Sequence, residues 1–252
     1  MEVVIAADPH DIGRLAADRF AAVLTRRPAA VLGFATGSSP IAVYQNLAER
    51  VAAGELSFAA TRGFALDEYV GIPAGDARSY AWFIRNRIEI PLGMPAGAVQ
   101  VPDGTAADPE RAALRFDRAI ASAGGIDLQL LGVGVNGHIG FNEPGSSLGS
   151  RTRIKTLADQ TRVDNARFFH SPADVPTRCL TQGLGTILEA RAIVLVASGA
   201  AKAAAIAAVV EGPVTSMWPG SVLQHHPRTT VIVDEAAASR LQLADYYRSA
   251  AS

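Results

Sequence analysis

Three short segments carry most of the side chains from which chemistry could be built. Thr36-Gly37-Ser38-Ser39-Pro40 joins an apolar run to a helical pattern. Gly37 permits a tight turn, Ser39 suits a helix cap, and Pro40 suits the first helical position. Backbone N–H groups at such a helix start, with two hydroxyls beside them, can hold a phosphate. Taken alone, such a segment is more often an ordinary cap. No lysine follows at Walker A spacing, so a phosphate monoester fits better than a nucleotide.

The second segment is the adjacent pair Asp67-Glu68, followed by Tyr69-Val70-Gly71-Ile72, which could close over it. A carboxylate there would serve as a general base if partial burial raised its pKa. A solvated acidic turn is the commoner fate of an Asp-Glu pair. The third segment runs from Gly132 to Gly145, GVGVNGHIGFNEPG. It contains G-x-G-x-x-G, but Gly140, Pro144 and Gly145 prevent the helix that a dinucleotide fingerprint needs at once. The glycines instead bring backbone close to a substrate, with His138 and Glu143 projecting from the loop. Imidazole is suited to proton transfer near neutrality, and a carboxylate can orient it.

Two cations outside these loops, Arg167 and Lys202, could neutralise a phosphate; a solvated surface charge is the default for either. Residues 150–156, SRTRIKT, form a basic and hydroxyl-rich patch whose plainer reading is a strand edge protected by charge. His225 and His226 are sequential and precede Pro227, so they lack the spacing of a helical two-histidine metal site. No metal ligand set is assigned.

Apolar and β-branched runs alternate with helical stretches, and this pattern must position those residues. Strands are expected at residues 3–6, 31–35, 63–66, 99–101, 126–131, 153–157, 192–197 and 229–233. Helices are expected after the first strand (with Ile12, Leu15, Phe20 and Leu24 on one side), from Pro40 through Val51, over residues 79–90, from the Asp108-Pro109 start, and over 201–210. Alternation of this kind predicts a three-layer α/β/α fold with a mostly parallel, Rossmann-like open sheet. With no repeat or low-complexity linker, residues 1–252 read as one domain. In such sheets ligands bind beyond the carboxyl ends of strands, where the winding reverses. All three loops follow predicted strands, so one pocket could collect them.

Composition bounds the rest. Lysine plus arginine number 23 against 24 acidic residues, which gives no reason to expect nucleic acid or an anionic membrane as partner. Hydrophobic residues make up 49%, ample for a sizeable core. The single cysteine, Cys179, excludes an intramolecular disulfide and a cysteine-rich zinc site. The start lacks a basic n-region, and the Ala203–Val210 run is too short to span a bilayer. A reduced, cytoplasmic protein is the expectation.

The blocks FATGSSP, ALDEYVGI, GVNGHIGFNEPGSSLGSRTRIKTL, QTRVDNARFF and VEGPVTSMWPGSVLQHHP closely resemble the glucosamine-6-phosphate deaminase family. They run in order from about residue 31 to 234. The resemblance implies conversion of glucosamine 6-phosphate and water into fructose 6-phosphate and ammonium, in aminosugar catabolism, without cofactor. It implies that His138 opens the pyranose with support from Glu143, and that Asp67 moves a proton between C2 and C1. Gly37, Ser38, Ser39, Arg167 and Lys202 match phosphate-holding positions. Asn136 stands where some members carry aspartate in a triad with the histidine and glutamate. Asparagine cannot stabilise an imidazolium by charge, so tuned activity is expected. Ser146, Arg153, Lys155 and Thr156 match the positions that bind the effector N-acetylglucosamine 6-phosphate in allosteric members. The tyrosine that completes that site is out of register, with Tyr247 near but offset. The resemblance therefore leaves two forms, an allosteric homo-oligomer and a smaller unregulated enzyme. Other readings are a sugar-phosphate sensor without turnover, a 6-phosphogluconolactonase, and a galactosamine-6-phosphate deaminase.

Overall fold

The protein is described as a computed structural model over residues 1–250. In chain order its elements are β1 (Glu2–Ala6), α1 (Pro9–Arg26), β2 (Val31–Phe34), α2 (Ile41–Ala52), β3 (Arg62–Ala65), β4 (Asp67–Tyr69), α3 (Tyr80–Ile84), β5 (Val99–Gln100), α4 (Pro109–Ser122), β6 (Leu128–Leu131) and β7 (Arg153–Thr156). They continue with α5 (Asp159–Asn165), β8 (Arg178–Thr181), α6 (Leu184–Leu188), β9 (Ile193–Ala197), α7 (Ala203–Val210), β10 (Thr229–Asp234), α8 (Glu235–Ala238) and α9 (Ala244–Ala250).

A seven-stranded sheet in the order β1-β10-β9-β6-β2-β3-β5 forms the centre, and every pairing in it is parallel. Its inner strands are buried along their whole length, VLGF in β2, LQLL in β6 and IVLVA in β9, because helices cover both faces. Helix α1 starts where Asp8 accepts from the N–H of Asp11 at 2.8 Å, and it buries Ile12, Ala16, Phe20 and Leu24 on one stripe, with Leu15 at its half-buried margin. Asp108 caps α4 as its sequence predicts, accepting from Arg111 N–H at 2.9 Å.

Four local expectations need correction. Helix α2 begins at Ile41, with Pro40 in the cap position and no side-chain cap bond, so Ser39 does not cap it. The segment 79–90 is α-helical only to Ile84 and continues as a π-helical turn over Arg85–Glu89. Asp67-Glu68 is not a solvated turn but part of β4. The strand at residues 153–156 exists, yet outside the parallel sheet. Strands β4, β8 and β7 make a separate antiparallel sheet in that order, with Asp67 opposite Thr181 and Arg153 opposite Thr181 on its other side. Strand β8, which sequence reading missed, is the centre of this small sheet. As expected, β7 is an edge strand.

The chain passes from β2 outward through β3 to β5, then returns to place β6 on the other side of β2. The winding therefore reverses between β2 and β6. Their carboxyl ends, with that of β3, define the rim at which the small sheet sits.

Candidate active site

A cleft at this rim is lined by residues 35–39 after β2, Leu66 and Asp67 after β3, Gly132, Val133, Gly134, His138, Gly140 and Phe141 after β6, Thr161, Asp164, Asn165 and Arg167 from α5 and the turn behind it, and Lys202. The three loops singled out from the sequence thus meet in one place, at the reversal of winding where parallel sheets bind ligands.

Successive strand residues face opposite ways, and this separates the two adjacent carboxylates. Asp67 opens into the cleft. Glu68 points to the other side, where its carboxylate accepts from the N–H groups of Tyr69 (2.8 Å), Tyr80 (3.0 Å) and Ala81 (2.8 Å) at the start of α3. Glu68 is a structural anchor. Burial, and then the neighbouring Glu68 charge, push the Asp67 carboxyl well above the ordinary carboxylate range. That is the environment a carboxylate needs to take up a proton near neutrality. Tyr69 does not cap the cleft; it is buried against Tyr80, Phe141 and Phe169.

The loop after β6 folds back on itself, with Gly134 N–H donating to the His138 carbonyl at 2.9 Å. A Cβ at Gly134 would lie 2.3 Å from Cε1 of His138, so the ring rests directly on backbone and only glycine fits. Gly140 brings the same loop to β4, where a Cβ would come within 3.0 Å of Thr181 Oγ1 and 3.5 Å of Asp67 Oδ2. His138 Nδ1 lies 3.6 Å from Glu143 Oε2. That separation is longer than a hydrogen bond, and Nδ1 has no hydrogen-bonding partner in the protein. Glu143 is itself held from two sides: Asn136 Nδ2 donates to Oε2 at 2.8 Å and Ala158 N–H to Oε1 at 3.2 Å. Burial alone would raise the Glu143 carboxyl, but His138, then Thr161 and Asn136, outweigh it and hold the group at about 2. Glu143 is therefore a fixed anion behind the imidazole.

Asn136 touches the carboxylate rather than the ring. Its Oδ1 accepts from the backbone N–H of His138 at 3.2 Å, so it fixes the loop while its amide group holds Glu143.

The other end of the cleft is cationic. Arg167 Nη2 donates to Ser38 Oγ at 3.1 Å, spanning 129 residues of sequence, and Gly37 turns the loop with a φ of +92°. Lys202 follows a turn pinned by Asp234, whose two carboxylate oxygens each accept from Gly199 N–H at 3.0 Å. Burial disfavours the Lys202 ammonium, Asp164 partly restores it, and Arg167 disfavours it further. Two cations lining one end of a cleft, one of them partly desolvated, are a pair that could hold an anion.

The positions expected for an effector lie outside this cleft lining. Ser146 is buried and its hydroxyl donates to the Glu143 carbonyl at 2.6 Å. Arg153 Nη1 donates to Asn142 Oδ1 at 2.9 Å, while Lys155 and Thr156 follow along β7. Tyr247 lies against Glu211, on a helix that packs on β1 at an edge of the main sheet. His226 is buried in the core, its Nε2 2.8 Å from the Ala190 carbonyl, while His225 beside it is exposed.

Sequence reading missed Thr161, Asp164, Asn165 and Tyr80 in the cleft wall. The first three stand at i, i+3 and i+4, one helical face, and that spacing was the available signal. It also missed Asn142, fully buried, whose amide donates to the carbonyls of Ile139 (3.0 Å) and Gln182 (2.8 Å) and so ties the histidine loop to β8.

Residues 9–232 match the family described as glucosamine-6-phosphate isomerases/6-phosphogluconolactonase. The chain is 59% identical to glucosamine-6-phosphate deaminase of Mycolicibacterium smegmatis over 249 residues, 98% of this chain and 95% of that one. It is 55% identical to the enzyme of the same name from Streptomyces coelicolor, with the same coverage. Among solved structures, a monomeric glucosamine-6-phosphate deaminase superposes with a TM-score of 0.93 at 39% identity, covering 95% of this chain and all of the other. The 6-phosphogluconolactonase of Trypanosoma cruzi shares the fold at a TM-score of 0.75 and 20% identity, covering 96% and 97% of the two chains.

Proposed function

The chain belongs to the glucosamine-6-phosphate isomerase/6-phosphogluconolactonase family, and from that premise we propose that it converts glucosamine 6-phosphate and water into fructose 6-phosphate and ammonium. The observation that carries this reading is the opening of Asp67 and His138 into one cleft whose far end is cationic.

In the proposed reaction, Ser38, Ser39, the turn at Gly37, Arg167 and Lys202 hold the phosphate and so fix the sugar's position. His138, with the Glu143 anion behind it, takes the O1 proton as the C1–O5 bond breaks, and returns it to O5. Asp67 as carboxylate then takes the C2 proton while one ammonium proton shifts to O1, which gives an enol-amine. Asp67 delivers its proton to C1, leaving a C2 iminium. Water adds there, C2–N breaks, and the ketose and ammonia separate. Asn136 acts by positioning Glu143.

The aldose-to-ketose step needs one carboxylate able to gain and lose a proton, and the raised Asp67 carboxyl meets that need. The gluco epimer is favoured by the names of the similar enzymes. For assembly we favour the smaller form that does not respond to N-acetylglucosamine 6-phosphate. This rests on the placement of Tyr247 against Glu211, the inward bonding of Ser146 and Arg153, and the monomeric state described for the 39%-identical relative. No described helix is long and apolar enough to cross a membrane; a cytoplasmic location goes with a charged ester substrate.

The test is a coupled assay for ammonia and fructose 6-phosphate, run with glucosamine 6-phosphate, galactosamine 6-phosphate and 6-phosphogluconolactone. Ammonia and ketose in equal amounts from the first substrate are expected. Turnover of the lactone alone, or binding without product, would replace this reading. Adding N-acetylglucosamine 6-phosphate should leave a hyperbolic rate curve unchanged.

A further inference from the structure

The anion cradle contains an anion of its own. Helix α5 presents Thr161, Asp164 and Asn165 to the cleft, and Arg167 follows in the next turn, so Asp164 shares a wall with both phosphate-facing cations. Gln160 Nε2 donates to Asp164 Oδ1 at 2.9 Å from the preceding turn, restricting the carboxylate. The catalytic sequence described above gives this group no task.

We propose that Asp164 is a built-in counter-anion that sets how tightly the cradle holds a phosphate ester, and that it is a determinant of affinity rather than of turnover. The inference rests on the phosphate-cradle reading. Without ligand, Asp164 offsets part of the charge that would otherwise set Lys202 against Arg167. When a phosphate dianion enters, Asp164 faces it as a like charge across the same cleft, and the cost falls equally on the bound ground state and on every later state. Interactions felt equally by substrate and transition state alter KM and leave kcat in place. An enzyme that must release a product bearing the same phosphate gains a looser grip at no cost to the chemistry.

The test uses the full chain and inorganic phosphate as probe. Asp164→Asn keeps the shape and the Gln160 partner while removing the charge. Expected are a decrease of about threefold to tenfold in KM for glucosamine 6-phosphate, a parallel decrease in the inhibition constant for inorganic phosphate, and kcat within about twofold of the parent, the size of a single screened charge. Because the effect is electrostatic, the difference between variant and parent should shrink near about 1 M salt, which a merely structural change would not do. An unchanged or increased KM with normal phosphate competition would overturn the role of Asp164 alone. Failure of phosphate to compete with substrate in the parent enzyme would overturn the cradle, and this inference with it.

Discussion

Asn136 and Glu143 are joined through a 2.8 Å hydrogen bond from Nδ2 to the same carboxylate oxygen, Oε2, that stands 3.6 Å from the imidazole of His138. The asparagine therefore acts on the histidine through the carboxylate. The donated bond draws on that oxygen's negative charge and helps fix where the carboxylate sits.

Replacing Asn136 with Asp would put a second carboxylate beside Glu143 and remove the donated bond. Two like charges sharing a site resist joint ionisation. We expect an active enzyme whose pH–rate profile has its acidic limb moved toward higher pH, with kcat altered by less than about tenfold; this comes from the scale of general acid–base effects, about 10²–10⁴ for complete loss of the group. Rates measured from pH 5 to 9 on both proteins check it, and coincident profiles would show that Asn136 does not set the titration of the pair.

Asp67→Asn removes the proposed proton carrier and keeps its volume. Turnover should fall by about 10²–10⁴-fold. Stability should move the other way. A carboxyl whose folded pKa is raised well above its ordinary 3.8 stabilises fully below that value and loses this contribution as pH rises through the folded pKa. At neutral pH and above, the variant should therefore melt no lower than the parent, and the difference should vanish toward pH 3. Thermal melts at several pH values, beside the activity assay, separate a lost base from a lost fold.

Lys202→Ala should raise KM by about ten- to a hundredfold, the usual loss for one charge-assisted contact of about 1.5–3 kcal/mol, with a smaller change in kcat. The inhibition constant for inorganic phosphate should rise with it. A fall in kcat at unchanged KM would move Lys202 from the phosphate to the reacting centre.

Asp234→Ala removes a carboxylate that holds the Gly199 N–H and also accepts from Ala237 N–H at 2.8 Å to start α8. Losing the cap and leaving two N–H groups to find new partners should cost about 1–2 kcal/mol of stability. Because the Gly199 turn carries Lys202, KM should rise as well. A stability loss with unchanged KM would show that the turn holds its place without Asp234.

The main sheet was legible because its inner strands are buried on both faces and so read as continuous apolar runs; VLGF and IVLVA need no context. Asp108-Pro109 was legible because a cap is a local event within four residues; the equivalent Asp8-Pro9 start of α1 carries the same signal and went unread. The same local logic failed at Ser39-Pro40, where the hydroxyls belong to the cleft and the helix begins uncapped by a side chain. The 79–90 segment was half right, since a π-helical turn leaves almost no mark on an amphipathic pattern.

The amino-acid order by itself determined which chemical groups were present, that they followed strand ends, and that no helix directly succeeds the glycine-rich loop at residues 132–145. Tertiary structure alone decided that Asp67 faces the cleft while Glu68 anchors α3. It also assigned residues 67–69 and 153–156 to a second, antiparallel sheet, and put Asp164 in the same cleft wall as two cations. The physical reason is range: caps, periods and turns are fixed by neighbours a few residues apart, whereas Asp67 meets Thr181 and Ser38 meets Arg167 only through pairings more than a hundred residues long.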